Sequence, residues 1–244
     1  MTTRHALVTG AGTGIGRAFA RRLAAEGWTV TAVGRDQERL RALTDELGPR
    51  HRHLAADLTT PDGLARITED LARHHVNLLI NNAGVAHHGL FHRTPAPEAV
   101  AALRLNCEAV VTLAHTFLTQ ARDGDALINI SSTLGYAPTP GLAVYSAGKA
   151  FVTTFSEALW HEQRPRGVHV MALCPGPTAT ESAARHNQDV PAALIRTPEA
   201  VVTTALRALD RRTRHTVVPG PANSLFALAA RLLPRRLILA ALSR

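Results

Sequence analysis

Aromatic side chains make up only 4% of this sequence of 244 residues. That is too thin a supply for a stacking platform on nucleic-acid bases. A net charge of +8 and a pI near 11 would otherwise invite such a partner. The arginines, however, are scattered over positions that read as solvated (Arg21, Arg22, Arg35, Arg39, Arg41, Arg50, Arg52), so no nucleic acid is expected as a ligand. Cysteine is scarce too. Cys107 and Cys174 stand far apart with no CxxC partner, which excludes a disulfide framework or a zinc ribbon and makes a reducing cytoplasm the expected compartment. Thirteen histidines are present, but no HExxH spacing, and the adjacent pairs His74-His75 and His87-His88 point apart on any regular element, so no metal is expected. The start, Met1-Thr2-Thr3-Arg4-His5, lacks an apolar h-region, and no signal peptide is expected. No internal repeat or low-complexity linker interrupts the chain, so residues 1–244 are read as one domain. The balance of 45% hydrophobic and 19% charged residues is ordinary for a globular domain.

What is present is an alternation. Short apolar runs at Ala6–Val8, Thr29–Val33, just before Asp57, Val76–Ile80, Ala126–Ile130, Val168–Leu173 and Thr216–Val218 read as strands. Between them lie helical patterns: Ile15, Phe19 and Leu23 up to Gly27; Leu40, Leu43 and Leu47 up to Gly48; Leu64, Ile67 and Leu71 after Pro61; one long helix from Glu98 to Gln120; Val144–Gln163; and Pro198–Asp210. Buried strands alternating with amphipathic helices predict an α/β fold with a parallel sheet of about seven strands, doubly wound, with helices on both faces.

The first strand runs into Thr9-Gly10-Ala11-Gly12-Thr13-Gly14-Ile15-Gly16. At a strand–helix junction such glycines let the backbone close on a pyrophosphate, and the helix N-terminus offers free N–H groups and a positive dipole end. A P-loop is excluded, because Arg17 stands where its lysine would be. An acid at the end of the second strand would hold the ribose of NAD, whereas an arginine would accept the 2′-phosphate of NADP. That strand ends Val33-Gly34-Arg35-Asp36. Asp36 can serve as a helix N-cap, Gly34 occupies the acid's place and Arg35 follows directly, so NADP(H) is favoured over NAD(H).

Tyr145 and Lys149 are four residues apart at a predicted helix start and share a face. Ser132 lies just past a strand whose C-terminal end borders the ligand crevice of a parallel sheet. Ser131 is its neighbour and competitor. Reduction of a carbonyl needs a proton donor on oxygen. A phenol, with a pKa near 10, is poorly matched to neutral pH, and a lysine cation beside it is expected to lower that value. Ser132 can donate a hydrogen bond to the carbonyl oxygen.

Taken together, Thr9-Gly10-x-x-x-Gly14-x-Gly16, Asn81-Asn82-Ala83-Gly84, Ser132 and Tyr145-x-x-x-Lys149 resemble the short-chain dehydrogenase/reductase family, from the first strand to about residue 220. The resemblance implies a Rossmann-type fold and further roles. Asn106 would be the fourth catalytic member, holding a water that links Lys149 to solvent. Tyr145 and Lys149 would also meet the cofactor, Lys149 through the nicotinamide ribose. Gly10, Gly12, Thr13, Gly14, Ile15 and Gly16 would cradle the pyrophosphate. Asp57 and Leu58 would contact adenine, and Asn82, Ala83 and Gly84 would line the adenosine side. Pro175, Gly176, Thr178 and Thr180 would bind the nicotinamide amide. It also implies a homodimer or homotetramer.

The expected partner is a small carbonyl or secondary-alcohol substrate, hydrophobic if Leu134, Tyr136, Pro138 and Leu142 line its pocket, with His87, His88 and His92 near the rim. Residues 179–197, with Glu181, His186, Asn187 and Asp189, are read as a substrate lid. The apolar and basic tail at 221–244 is too short to span a bilayer; it can cover the pocket, pack on another subunit or lie on a membrane surface. Two rival functions stay open: a cofactor-binding scaffold or sensor without turnover, and an enzyme using the same residues for isomerisation or dehydration.

Overall fold

The computed structural model describes residues 4–184 and 190–242. Seven parallel strands form one sheet in the order β3-β2-β1-β4-β5-β6-β7. They are β1 (His5–Thr9), β2 (Thr29–Gly34), β3 (Arg52–Ala55), β4 (Leu78–Asn81), β5 (Ala126–Ile130), β6 (His169–Leu173) and β7 (Thr216–Val217). The central strands are buried on both faces, because each face carries helices. On one face α1 (Gly14–Ala25), α2 (Gln37–Leu47) and α7 (Pro198–Arg211) bury Phe19, Leu23, Leu40, Leu43, Val201 and Leu206. On the other, α3 (Pro61–Arg73), α5 (Ala109–Gln120) and α6 (Ala143–Gln163) supply Ile67, Leu71, Leu113, Phe117 and Phe155.

Local chemistry sets the helix starts. Asp36 accepts from Arg39 N–H (3.0 Å), Thr60 from Gly63 N–H (3.1 Å) and Thr197 from Ala200 N–H (3.2 Å), each ahead of a helix. The order of strands reverses between β1 and β4, where successive connections leave in opposite directions and open a crevice at the strand C-termini.

One expectation is refined. The helix expected over Glu98–Gln120 runs through α4 (Ala96–Leu103), a π turn (Arg104–Glu108) and α5 without a gap. A π turn inserts one residue and leaves the apolar count of the segment intact, so periodicity cannot reveal it. The tail also forms two helices, α8 (Pro221–Leu232) and α9 (Arg235–Leu242), separated at Pro234. They pack on the segment after β5 through Ala137, Ala230 and Ile238, beside Tyr136 and Phe226.

Candidate active site

The glycine turn is held by the end of β4. Thr9 Oγ1 accepts from both Asn82 N–H (2.9 Å) and Ala83 N–H (3.0 Å), while Asn82 Nδ2 donates to Thr9 O (2.9 Å) and Gly10 O (3.2 Å). Helix α1 starts so close beneath that a Cβ on Gly16 would strike Gly10 O and Asn82 Nδ2. Thr13 stands at the N-cap of α1 without a side-chain cap bond, and the first turn, with Ile15, carries no acid. The positive end of the helix therefore faces the crevice uncompensated. Gly12 differs from its neighbours: its φ is not positive, and only Arg39 Cβ, at 3.5 Å, comes near where a Cβ would stand. Nothing among the described residues demands glycine there, which fits a bulky anionic group lying against the turn from outside.

At the end of β2 the two candidate selectors part ways. The carboxylate of Asp36 caps α2 and pairs with Arg39 Nε at 3.2 Å. Arg35 is exposed and has no hydrogen bond or ion pair among the described residues. Asp57 is turned inward on its own loop, accepting from Thr59 N–H (2.9 Å) and Oγ1 (2.7 Å). Burial pushes its carboxyl up, but these bonds and the Arg35 charge hold it below the usual carboxylate value. Leu58 beside it is buried.

Ser132, Tyr145, Lys149 and Asn106 converge at the C-terminal ends of β4 and β5. Ser131 is spent on structure: its hydroxyl donates to Lys149 O (2.7 Å) and meets Thr153 Oγ1 (2.7 Å). Ser132, at the next turn, accepts from Leu134 N–H (3.1 Å) and hydrogen-bonds the Tyr145 side chain. Lys149 Nζ donates to Ile130 O (2.8 Å) and lies 5.6 Å from the centre of the Tyr145 ring. Asn106, in the π turn, clasps the backbone of Val85, with Oδ1 accepting from its N–H (3.1 Å) and Nδ2 donating to its C=O (2.8 Å). Asn106 and Lys149 meet over Gly84, where a Cβ would stand 2.8 Å from Asn106 Oδ1 and 3.3 Å from Lys149 Nζ.

Burial raises the Tyr145 phenol above its ordinary value, and the hydrogen bond with Ser132 works against it. Burial acts on the lysine as well, whose ammonium is brought down to about 8. Lys149 is also the chain's only lysine, every other residue of the Lys+Arg set being arginine. Composition thus held a signal that motif spacing did not use.

Beyond β6, Pro175 O accepts from Thr133 N–H (2.9 Å), Gly176 packs against Asn223 of α8, and Thr178 Oγ1 donates to Gly176 O (2.9 Å). Thr180 caps the following turn through Ala183 N–H (3.2 Å), and its methyl is 2.9 Å from where a Gly14 Cβ would stand. The described part of segment 179–197 folds back: Thr178 pairs with Arg196, and Glu181 forms a 2.6 Å ion pair with Arg39 of α2. His186, Asn187 and Asp189 lie outside the described residues.

A cleft opens beside Tyr145, with walls that include Val85, Phe91, Thr94, Ala99, Ala102 and Val144. These are not the residues expected to line it. Tyr136 instead turns its hydroxyl to Cys174 Sγ (3.4 Å), beneath the Arg231 guanidinium, so Cys174 is a hydrogen-bonding partner rather than a simple apolar filler. Of the rim histidines, His87 lines the cleft, 3.7 Å from Glu98. Sequence reasoning missed Val85, Phe91, Arg39 and Asn223, whose proximity depends on chain folding that no local spacing encodes.

Known proteins are similar to this chain. The family profile described as short chain dehydrogenase matches residues 4–191. The 17-beta-hydroxysteroid dehydrogenase type 3 of Rattus norvegicus is 34% identical over 183 residues, covering 72% of this chain and 60% of that protein, so the chain spans about three fifths of that relative's length. A short-chain dehydrogenase from Sphingobium yanoikuyae, solved in complex with NADPH, is 34% identical with a TM-score of 0.83 over 92% of both chains. The bulky-bulky ketone specific alcohol dehydrogenase from Comamonas testosteroni is 30% identical, with a TM-score of 0.80 over 91% of this chain and 88% of that one. On this evidence, the chain belongs to the short-chain dehydrogenase family.

Proposed function

We propose that this protein is an NADP(H)-dependent oxidoreductase that interconverts an apolar ketone and its secondary alcohol. The observation that carries the reading is the meeting of Ser132, Tyr145 and Lys149 beside a largely apolar cleft, one strand away from a glycine turn built for a dinucleotide. Gly10, Gly12, Thr13, Gly14, Ile15 and Gly16 would hold the pyrophosphate, and Asp57, Leu58, Asn82, Ala83 and Gly84 the adenosine side. Pro175, Gly176, Thr178 and Thr180 would border the nicotinamide, which when bound supplies or accepts the hydride. Preference for NADP(H) is supported by Arg35, whose guanidinium is uncommitted among the described residues while the Asp36 carboxylate is engaged.

In the reductive direction Tyr145 delivers its proton to the carbonyl oxygen, and Ser132 donates a hydrogen bond to that oxygen. The Lys149 ammonium then faces a phenolate, and its charge, weakly screened by its burial, stabilises that anion. Asn106 fixes the Val85 turn and, beside Lys149 over Gly84, stands where protons would be relayed from solvent to the ammonium. An apolar substrate is supported by the cleft walls and by the relatives named for a steroid and for bulky ketones. The paucity of cysteine supports a cytoplasmic setting. Exposed Val111 of α5 and Phe151 of α6 support a homodimer or homotetramer.

The deciding experiment follows NADPH absorbance against a panel of bulky ketones. Turnover is expected in the wild type, with a loss of about 10²–10⁴-fold in Tyr145→Phe at unchanged NADPH affinity. Activity retained in that variant sinks the mechanism, and NADPH binding without turnover on any ketone favours the scaffold reading.

A further inference from the structure

Helix α8 is amphipathic in the reverse sense. Its buried side consists of Asn223, Ala227 and Ala230. Its large residues Leu225, Leu228 and Leu232, spaced i, i+3 and i+7 on one face, are 68%, 53% and 74% exposed. On either side of the break at Pro234, Leu233 and Leu237 are exposed as well. Scattered exposed leucines need no explanation, but a continuous stripe does.

The charge around the stripe has one sign. Residues 221–244 contain no Asp or Glu. Arg231 is partly answered, its guanidinium lying over the Tyr136 ring and 3.4 Å from Glu157. Arg235 and Arg236 are exposed and have no ion pair among the described residues. A second copy on this face in a two-fold contact would bring arginines toward arginines with no acid between them. A protein partner would need a polar rim, and on α8 the only exposed uncharged polar side chain is Ser224. An apolar stripe flanked by uncompensated cations instead complements the headgroups and upper acyl region of an anionic lipid surface. No helix among the described residues is long and apolar enough to cross a membrane, so the contact would be peripheral.

We propose that the α8–α9 face docks this protein on anionic bilayer surfaces, with the leucine stripe buried at the headgroup boundary and Arg235 and Arg236 facing lipid phosphates. Because α8 packs on the segment that follows Ser132, docking would bring the site's rim to the bilayer. The proposal does not depend on the reaction assigned above.

The test is co-sedimentation of the full chain with vesicles of phosphatidylcholine alone or mixed with phosphatidylserine, at low and high salt. Pelleting is expected with the mixed vesicles, weaker at high salt and weaker with phosphatidylcholine alone. Arg235→Gln with Arg236→Gln should weaken partitioning about 30-fold, each basic side chain near an anionic surface contributing roughly fivefold. Leu225→Ser, Leu228→Ser and Leu232→Ser together should weaken it by roughly 100-fold or more, while ketone reduction in solution and the circular dichroism spectrum stay as in the wild type. A wild type that stays in the supernatant with mixed vesicles overturns the proposal. So does a leucine variant that pellets like the wild type. So does a wild-type oligomer in light scattering that the leucine variant loses, if neither protein binds vesicles, since a second copy then covers the face.

Discussion

At the residue scale the most consequential group is Lys149. Its ammonium is buried and has a backbone carbonyl, not a carboxylate, for a partner. A folded-state pKa brought down from 10.5 to about 8 means that the charged form opposes folding. The stability linked to this group is complete above pH 10.5 and is lost as pH falls through about 8, so near pH 7 the buried charge costs roughly 3 kcal/mol. Lys149→Met should therefore abolish turnover yet raise stability by about 1–3 kcal/mol, which urea denaturation at pH 7 would register. Unfolding at lower urea than the wild type would contradict this account. The same titration governs the rate. Reduction should decline above about pH 8 as the ammonium is lost, and Lys149→Arg, which keeps its charge throughout, should show no such decline in a kcat/KM profile. The Tyr145–Lys149 pair was legible in the sequence because four residues on a helix fix a shared face. The upward push of burial on the phenol was not, because burial is set by elements distant in sequence.

At the scale of elements, the junction of β1 and α1 tolerates little change. A Cβ on Gly16 would enter the space of Gly10 O and Asn82 Nδ2, and neither can retreat, since Asn82 is tied to Thr9 and Gly10. Gly16→Ala is expected to lower stability by about 1–3 kcal/mol through overpacking and to weaken NADPH binding more than tenfold, as measured by fluorescence titration; unchanged binding would mean that the turn is softer than its clamps imply. The glycine turn could be read from the sequence because strand, glycines and helix follow one another locally. The clamp from Asn82 could be guessed only through resemblance, because some seventy residues separate it from Thr9. The π turn at Arg104–Glu108 was hidden altogether: one inserted residue changes no apolar count, yet it carries the Asn106 side chain that grips Val85.

At the scale of the whole molecule, the seven-stranded sheet was legible because each buried strand is a continuous apolar run between amphipathic helices. The fate of the histidines was not. His51 and His169 are buried, and His5 is partly buried. Burial lowers all three, His169 to about 4. His51 Nδ1 accepts from Val30 N–H at 3.1 Å, a bond that only the neutral ring can make. With folded values below the unfolded 6.5, their contribution to stability is complete above about pH 6.5 and is lost as pH falls toward about 4. Urea midpoints should drop between pH 7 and pH 5, and His169→Gln should flatten that dependence. A midpoint independent of pH over this range would rule out the histidines as the cause.

The solitary lysine has one more consequence. Apart from a chain-terminal amine, the only primary amine in the protein is the buried Nζ beside Tyr145. The surface offers no side-chain ammonium for acylation, carbamylation or ubiquitin transfer. Isotopic labelling of lysine would therefore yield a single side-chain resonance, a built-in spectroscopic probe whose chemical shift follows the protonation of the site through every step of a titration.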